Sequence, residues 1–102
     1  MNRIMGLDYG DSRIGISLSD PLKIIASPYK TVRNSGLKGI IEYLKKIIDD
    51  KSVEAIVIGL PIGLNGNDTL QTKKVRKFGS KISKLNIIVY YEDERMSSVI
   101  AK

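Results

Sequence analysis

The hydrophobic period of the chain changes near residue 36, and this change restricts the possible folds more than any other feature. Residues 13–19 alternate apolar and polar side chains, which is typical of a strand with one covered face. From Leu37 to Ile48 the apolar residues recur at helical spacing instead. The pattern predicts strands at 3–9, 13–19 and 26–32, the third at a sheet edge, and an amphipathic helix at 36–51.

The second half of the chain alternates strands with a helix. The apolar run in VEAIVIGLP suits a strand buried on both faces, and NIIVYYEDER is a further strand. Between them lies a helix with Asp68 as its predicted N-cap and Gln71 as the capping-box partner. Its predicted buried stripe is Val75, Phe78, Ile82 and Leu85. The order βββαβαβ predicts one α/β domain over residues 1–102, with a mixed five-stranded sheet and helices on both faces.

The composition restricts the available chemistry. The chain has 102 residues with no cysteine and no histidine, which excludes disulfides, a thiolate nucleophile and Cys-type zinc sites. Catalysis is left to carboxylates, Lys, Arg, Tyr, Ser, Thr or a bound metal. Seventeen basic residues against eleven acidic ones give a net charge of +6, which favours a polyanionic partner such as nucleic acid. A merely lysine-rich surface is the alternative interpretation.

Targeting and membrane signals are missing from the sequence pattern. No apolar run approaches the roughly 20 residues of a membrane span. The start, MNRIMGLDYG, carries a carboxylate and two glycines where a signal peptide has its apolar stretch. We therefore expect a soluble cytoplasmic protein without membrane contact.

Acidic residues follow two of the predicted strands. Asp8 lies near the end of the first strand, and Glu92, Asp93 and Glu94 end the last. Because sites form at the carboxyl ends of parallel strands, these carboxylates are expected to converge on a hard divalent cation such as Mg²⁺. Gly6 and Gly10 would keep the surroundings of Asp8 open. Alternatively, Asp8 is a hydrogen-bonded structural residue and the acidic strand end is a solvated turn.

A row of lysines marks the second helix. Lys73, Lys77, Lys81 and Lys84 lie on the side opposite its apolar stripe. They are interpreted either as contacts to a phosphate backbone or as the wet face of the helix.

Three segments resemble one known family. MGLDYGDSRIGISLSDP, AIVIGLPIGLNG and YEDERMSS are similar to the signature blocks of the YqgF family, the Holliday-junction-resolvase-like proteins also described as pre-16S rRNA nucleases. The resemblance runs almost from the first residue to the last. It implies an RNase H-like fold and a metal-dependent nuclease, with Mg²⁺ or Mn²⁺, that acts on ribosomal RNA precursors in ribosome biogenesis. DNA-junction cleavage is also proposed for the family.

The family resemblance also implies roles for individual residues. Asp8 would be the metal ligand on the first strand, and Asp93 or Glu94 would supply the second carboxylate. The loop that contains Asn65 would line the substrate face. The implied nucleic-acid contacts are Arg13, Asn65, Lys73, Lys77, Lys81 and Arg95.

The chain departs from the family pattern at its end. Family members continue through a C-terminal helix that bears a further active-site Asp, and this chain stops at Lys102. The expectation is a monomer with a truncated last helix, weak Mg²⁺ binding, slow or absent cleavage and some tendency to self-associate. Three other functions stay open: a Holliday-junction resolvase, a non-catalytic RNA- or ribosome-binding module, and a nucleotide hydrolase related to the actin and sugar-kinase fold.

Overall fold

The protein contains five strands and two helices in the part of the chain that the structure describes. The structure is a computed structural model, and it describes residues 3–20, 26–63 and 66–93. The elements are β1 (Arg3–Tyr9), β2 (Arg13–Ser19), β3 (Ala26–Arg33), α1 (Leu37–Lys51), β4 (Val53–Leu60), α2 (Leu70–Ser83) and β5 (Ile88–Asp93). The order βββαβαβ is confirmed.

The strands form one mixed sheet in the order β3-β2-β1-β4-β5. A short turn joins β1 to β2, and β2 pairs antiparallel with both β1 and β3. Helical crossovers lead to β4 and β5, which run parallel to β1. The carboxyl ends of β1, β4 and β5 therefore meet at one edge of the sheet.

Both described helices lie on the same face of the sheet. One continuous core joins Leu44 of α1 and Phe78 of α2 to Met5 and Ile56 of the central strands. We expected helices on both faces. The two helical crossovers run from β3 through α1 to β4 and from β4 through α2 to β5. Both step in the same direction across the sheet, and right-handed crossovers that step the same way place their helices on the same side. The opposite face carries no helix from the described residues, and Ile88 and Tyr90 are exposed on it.

The helices are amphipathic, as their sequence period predicts. The side of α1 that faces the sheet carries the buried residues Ile40, Leu44 and Ile47. The helix ends at Ser52, which donates its N–H to the Ile48 carbonyl and then turns the chain out of the helix through a left-handed backbone conformation. Neither helix in the described ranges has both the length and the apolar character that a membrane crossing requires.

The N-terminus of α2 differs from the prediction. Thr69, not Asp68, is the N-cap: its hydroxyl accepts a hydrogen bond from the Thr72 N–H at 3.2 Å, and the Thr72 hydroxyl accepts one from the Thr69 N–H at 2.9 Å. The reciprocal box thus uses two threonines in place of Asp68 and Gln71. Asp68 is unavailable as a cap because both of its carboxylate oxygens accept hydrogen bonds from Arg76.

Candidate active site at the carboxyl end of the parallel strands

The strand register places two carboxylates in one row across the sheet. Leu7 pairs with Ile58, so the next residues, Asp8 and Gly59, share the following row. Gly59 in turn pairs with Glu92. Because residues in register on parallel strands share a face, Asp8 and Glu92 flank Gly59 on the face without described helices. Strand spacing puts the backbones of Asp8 and Glu92 roughly 10 Å apart. The residue of β4 that lies between them, Gly59, has no side chain.

The row has the donor chemistry of a hard-cation site. Asp8 and Glu92 are exposed, and neither has an ion-pair partner within the described residues. Carboxylate oxygens that still face water are the ligands Mg²⁺ prefers, since this ion keeps several of its waters. In the described ranges no group of three or more acidic residues comes close enough to hold a metal ion by itself. Asp8 and Glu92 supply two carboxylates to this row, and an ion held by these two alone would keep most of its waters.

The glycines near Asp8 have roles other than those predicted. A Cβ on Gly6 would collide with the hydroxyl of Ser17, and one on Gly10 would lie 2.8 Å from the Arg13 carbonyl oxygen. Gly6 therefore allows close strand pairing, and Gly10 allows the β1–β2 turn, in which its N–H donates to that carbonyl at 2.9 Å. Gly15 is the glycine next to the carboxylate, because its Cβ would contact the Asp8 Cβ at 3.6 Å.

The end of β1 is fixed from two sides. The Asn34 side chain donates to the Gly10 carbonyl at 2.9 Å, which ties the turn to the end of β3. From α2, the Gln71 amide donates to the Tyr9 carbonyl at 3.4 Å, and Lys74 forms an ion pair with Asp11 at 3.2 Å. Sequence reasoning missed Asn34 and gave Gln71 a different role. No local pattern marks either residue, because both contacts join distant segments.

The loop after β4 is closed on itself and held to α2. Ile62 and Asp68 form an isolated antiparallel bridge at its base. The buried Thr72 donates its hydroxyl hydrogen to the Pro61 carbonyl. The guanidinium of Arg76 donates to Asp68 at 3.0 and 3.3 Å, and this pairing raises the pKa of Arg76. These contacts therefore fix the two ends of the loop next to the row of Asp8 and Glu92.

Replacing Thr72 by Val should lower the free energy of unfolding by about 1–3 kcal/mol. The variant keeps the shape of the side chain, but it loses the hydroxyl that completes the cap of α2 and leaves the Pro61 carbonyl without its donor. Urea unfolding followed by circular dichroism measures the change. Thr72→Ser, which keeps the hydroxyl, should retain most of the stability. Equal stability of the Val variant and the parent would contradict the bracing role.

The remaining acidic and loop predictions lie at the margin of the described part. Asp93 is the last residue of β5 and pairs with Leu60, one position beyond the row. Its side chain, like Glu94, Arg95 and Asn65, lies outside the described residues. Their predicted roles therefore stay predictions, as does the truncated last helix. Glu92, which the sequence pattern grouped with Asp93 and Glu94 but to which the family resemblance gave no role, is the acid of β5 in register with Asp8.

The predicted cationic contacts divide between the two sides of the molecule. Arg13 precedes Gly15 by two residues in β2, so both lie on the same face of the sheet. Arg13 is exposed near the end of the row that contains Asp8. Lys73, Lys77 and Lys81 belong to α2, which covers the other face of the sheet. The structure thus brings Arg13 toward Asp8 and keeps the lysines away from it.

The comparisons of sequence agree on one family. The family model described as "RuvX: Holliday junction resolvase" matches residues 2–102. A protein of Endomicrobium trichonymphae named "Putative pre-16S rRNA nuclease" is 46% identical over 103 residues, which cover 100% of this chain and 74% of the relative. A protein of the same name from Maridesulfovibrio salexigens is 37% identical over 101 residues, covering 98% of this chain and 75% of the relative.

A solved structure shows the same fold. The structure of T. thermophilus RuvC in complex with Holliday junction substrate matches with a TM-score of 0.66 at 14% identity, covering 91% of this chain and 65% of that chain. The strand order, the helix placement and this match define an RNase H-like α/β fold. The chain belongs to the RuvX family, the family of the YqgF proteins, and it is an enzyme of the nuclease class.

Proposed function

We propose that this protein is a metal-dependent endonuclease that hydrolyses phosphodiester bonds in ribosomal RNA precursors. The observation that supports the proposal best is the row of Asp8 and Glu92 on an open sheet face, at the carboxyl end of the parallel strands. The names of the relatives, which specify pre-16S rRNA, point to the substrate.

The residues at this end of the sheet would have different roles in the reaction. Asp8 and an acid from the end of β5 would hold the cation, with Glu92 favoured by register and Glu94 by family resemblance. Bound Mg²⁺ or Mn²⁺ supplies a Lewis acid and an activated water for phosphodiester hydrolysis. Gly59 and Gly15 leave space beside Asp8 for the phosphate to approach. Arg13 is placed to donate to the phosphate backbone next to the reacting bond.

A direct experiment compares two substrates under identical conditions. A labelled fragment of a 16S rRNA precursor and a four-way DNA junction are incubated with the protein, with Mg²⁺ or with EDTA. We expect Mg²⁺-dependent cleavage of the RNA. Loss of cleavage in EDTA supports the metal dependence, and equal cleavage in EDTA would overturn it.

A Holliday-junction resolvase is the second candidate, because the matching family model carries that description. The chemistry would be the same, and the substrate would be branched DNA. Cleavage of the junction in preference to the RNA would favour this function. Binding of RNA without cleavage of either substrate would instead indicate a non-catalytic module on ribosome precursors.

A further inference from the structure

The segment of α2 is the most strongly charged part of the described chain. Residues 70–85 contain six basic residues and no acidic residue, whereas α1 mixes its lysines with Glu42, Asp49 and Asp50. Lysines four residues apart on a helix repel one another and destabilise it by a few tenths of a kcal/mol per pair. The charge of α2 therefore carries a cost in folding that acidic neighbours in the helix do not offset.

Ion pairs among the described residues use two of these six cations. Lys74 pairs with Asp11, and Arg76 pairs with Asp68. The structure assigns no ion pair, within the described residues, to Lys73, Lys77 and Lys84. All three side chains are exposed, while Lys81 is half-buried on the flank. Four of the six cations thus lack an ion pair within the described residues, and three of these four are exposed.

These three lysines share one side of the helix. At 100° per residue they fall within about 40° of one another, directly opposite the buried stripe that includes Val75 and Phe78. Lys73 and Lys84 are about 16 Å apart along the axis. We call Lys73, Lys77 and Lys84 the outer lysine row.

We infer that the outer lysine row is a second RNA-binding surface, separate from the carboxylate row. The inference rests on the proposed function for the identity of the polyanion. The outer lysine row is on the outer side of the helix layer, whereas Asp8 and Glu92 are on the opposite face of the sheet. A helix diameter plus the sheet separates the two surfaces by roughly 20 Å.

This separation makes the outer lysine row an anchoring surface. A phosphate held there is too far from the carboxylate row to be the one that reacts. The lysines therefore bind backbone that continues away from the cleaved bond, which requires an RNA long enough to pass around an edge of the molecule. The outer lysine row therefore sets most of the affinity for RNA and its salt dependence, and bond cleavage occurs at the carboxylate row.

The first test measures RNA binding in EDTA, so that it does not depend on cleavage. The triple variant K73Q/K77Q/K84Q is compared with K38Q/K45Q/K46Q, which removes the same charge from α1. The probe is a fluorescein-labelled precursor RNA of about 40 nucleotides, titrated at several salt concentrations. The log–log salt slope should fall by about two to three for the α2 variant and by less than about one for the α1 variant.

The second test separates the two surfaces by substrate length. With Mg²⁺, the α2 variant should show a KM raised at least about tenfold for the long RNA, with kcat unchanged. For an RNA of about six nucleotides, too short to reach both surfaces, the KM should equal that of the parent.

The outcomes are distinguishable from failure of the proposed function. Equal salt slopes for the α2 and α1 variants would overturn the inference and leave the row as a solvated helix face. A reduced slope for the α2 variant alone supports it, even if neither protein cleaves RNA. Cleavage without a difference in slope would keep the nuclease proposal and remove the anchoring surface.

Discussion

Replacing Asp8 by Asn is expected to reduce metal-dependent RNA cleavage by at least about 100-fold without unfolding the protein. The substitution keeps the size of the side chain and removes one negative charge from the carboxylate row. Loss of residues that only support metal ligands already costs about 10–100-fold in affinity or activity, so loss of a ligand should cost more. Asp8 is exposed, and its replacement should change the free energy of unfolding by less than about 0.5 kcal/mol.

Asp49→Asn is the matched control for this experiment. It makes the same chemical change at an exposed position of α1, on the other side of the sheet, and should leave cleavage unchanged. Initial rates are measured over a range of Mg²⁺ concentrations, with thermal unfolding recorded for each variant. Cleavage by the Asp8 variant at the parent rate would make Asp8 a structural residue and remove the basis of the metal site.

The same assay identifies the second carboxylate. Strand register favours Glu92, and the family resemblance favours Asp93 or Glu94. If Glu92→Gln raises the Mg²⁺ concentration that cleavage requires and Glu94→Gln does not, Asp8 and Glu92 hold the cation across Gly59. The reverse result would assign the second ligand to the end of the chain beyond β5.

The local structure could largely be predicted from the sequence, because it depends on periodicity. The alternation in β2 and the helical spacing in α1 each identify an element, and both observed spans fall within one residue of the predicted ones. The mixed sheet also followed, since three successive strands followed by helix–strand alternation leave few arrangements. The cap of α2 did not follow. Both Asp68 and Thr69 are suitable cap residues, and only the Arg76 contact decides between them.

The geometry of the site could not be read from the sequence, because it depends on register. A shift of one residue in β5 would exchange the faces of Glu92 and Asp93, and no feature of the sequence fixes that pairing. The position of the lysines relative to Asp8 has the same origin. The sequence shows that they lie opposite the apolar stripe of α2, but the face of the sheet that α2 covers is set by the handedness of the crossovers.

Replacing Phe78 by Ala should lower the free energy of unfolding by about 3–5 kcal/mol, the largest stability change expected for a single residue here. Phe78 is 1% exposed, and its ring centroid lies 4.4 Å from that of Tyr9, the residue that follows Asp8. The truncation would leave a cavity between α2 and the sheet and remove the aromatic pair. Since small domains are stable by only about 5–15 kcal/mol, the variant should be close to its unfolding limit.

Urea unfolding at low temperature provides the measurement, and Phe78→Leu provides the control. Leucine fills most of the cavity and should cost only about 1–2 kcal/mol. Cleavage by the Ala variant should fall in proportion to the folded fraction, because Phe78 lies on the helix side of the sheet and does not touch the carboxylate row. A loss of cleavage in fully folded Ala variant would show that Phe78 positions Asp8 through Tyr9. A cost below about 1 kcal/mol would contradict the packing of α2 against the carboxyl end of β1.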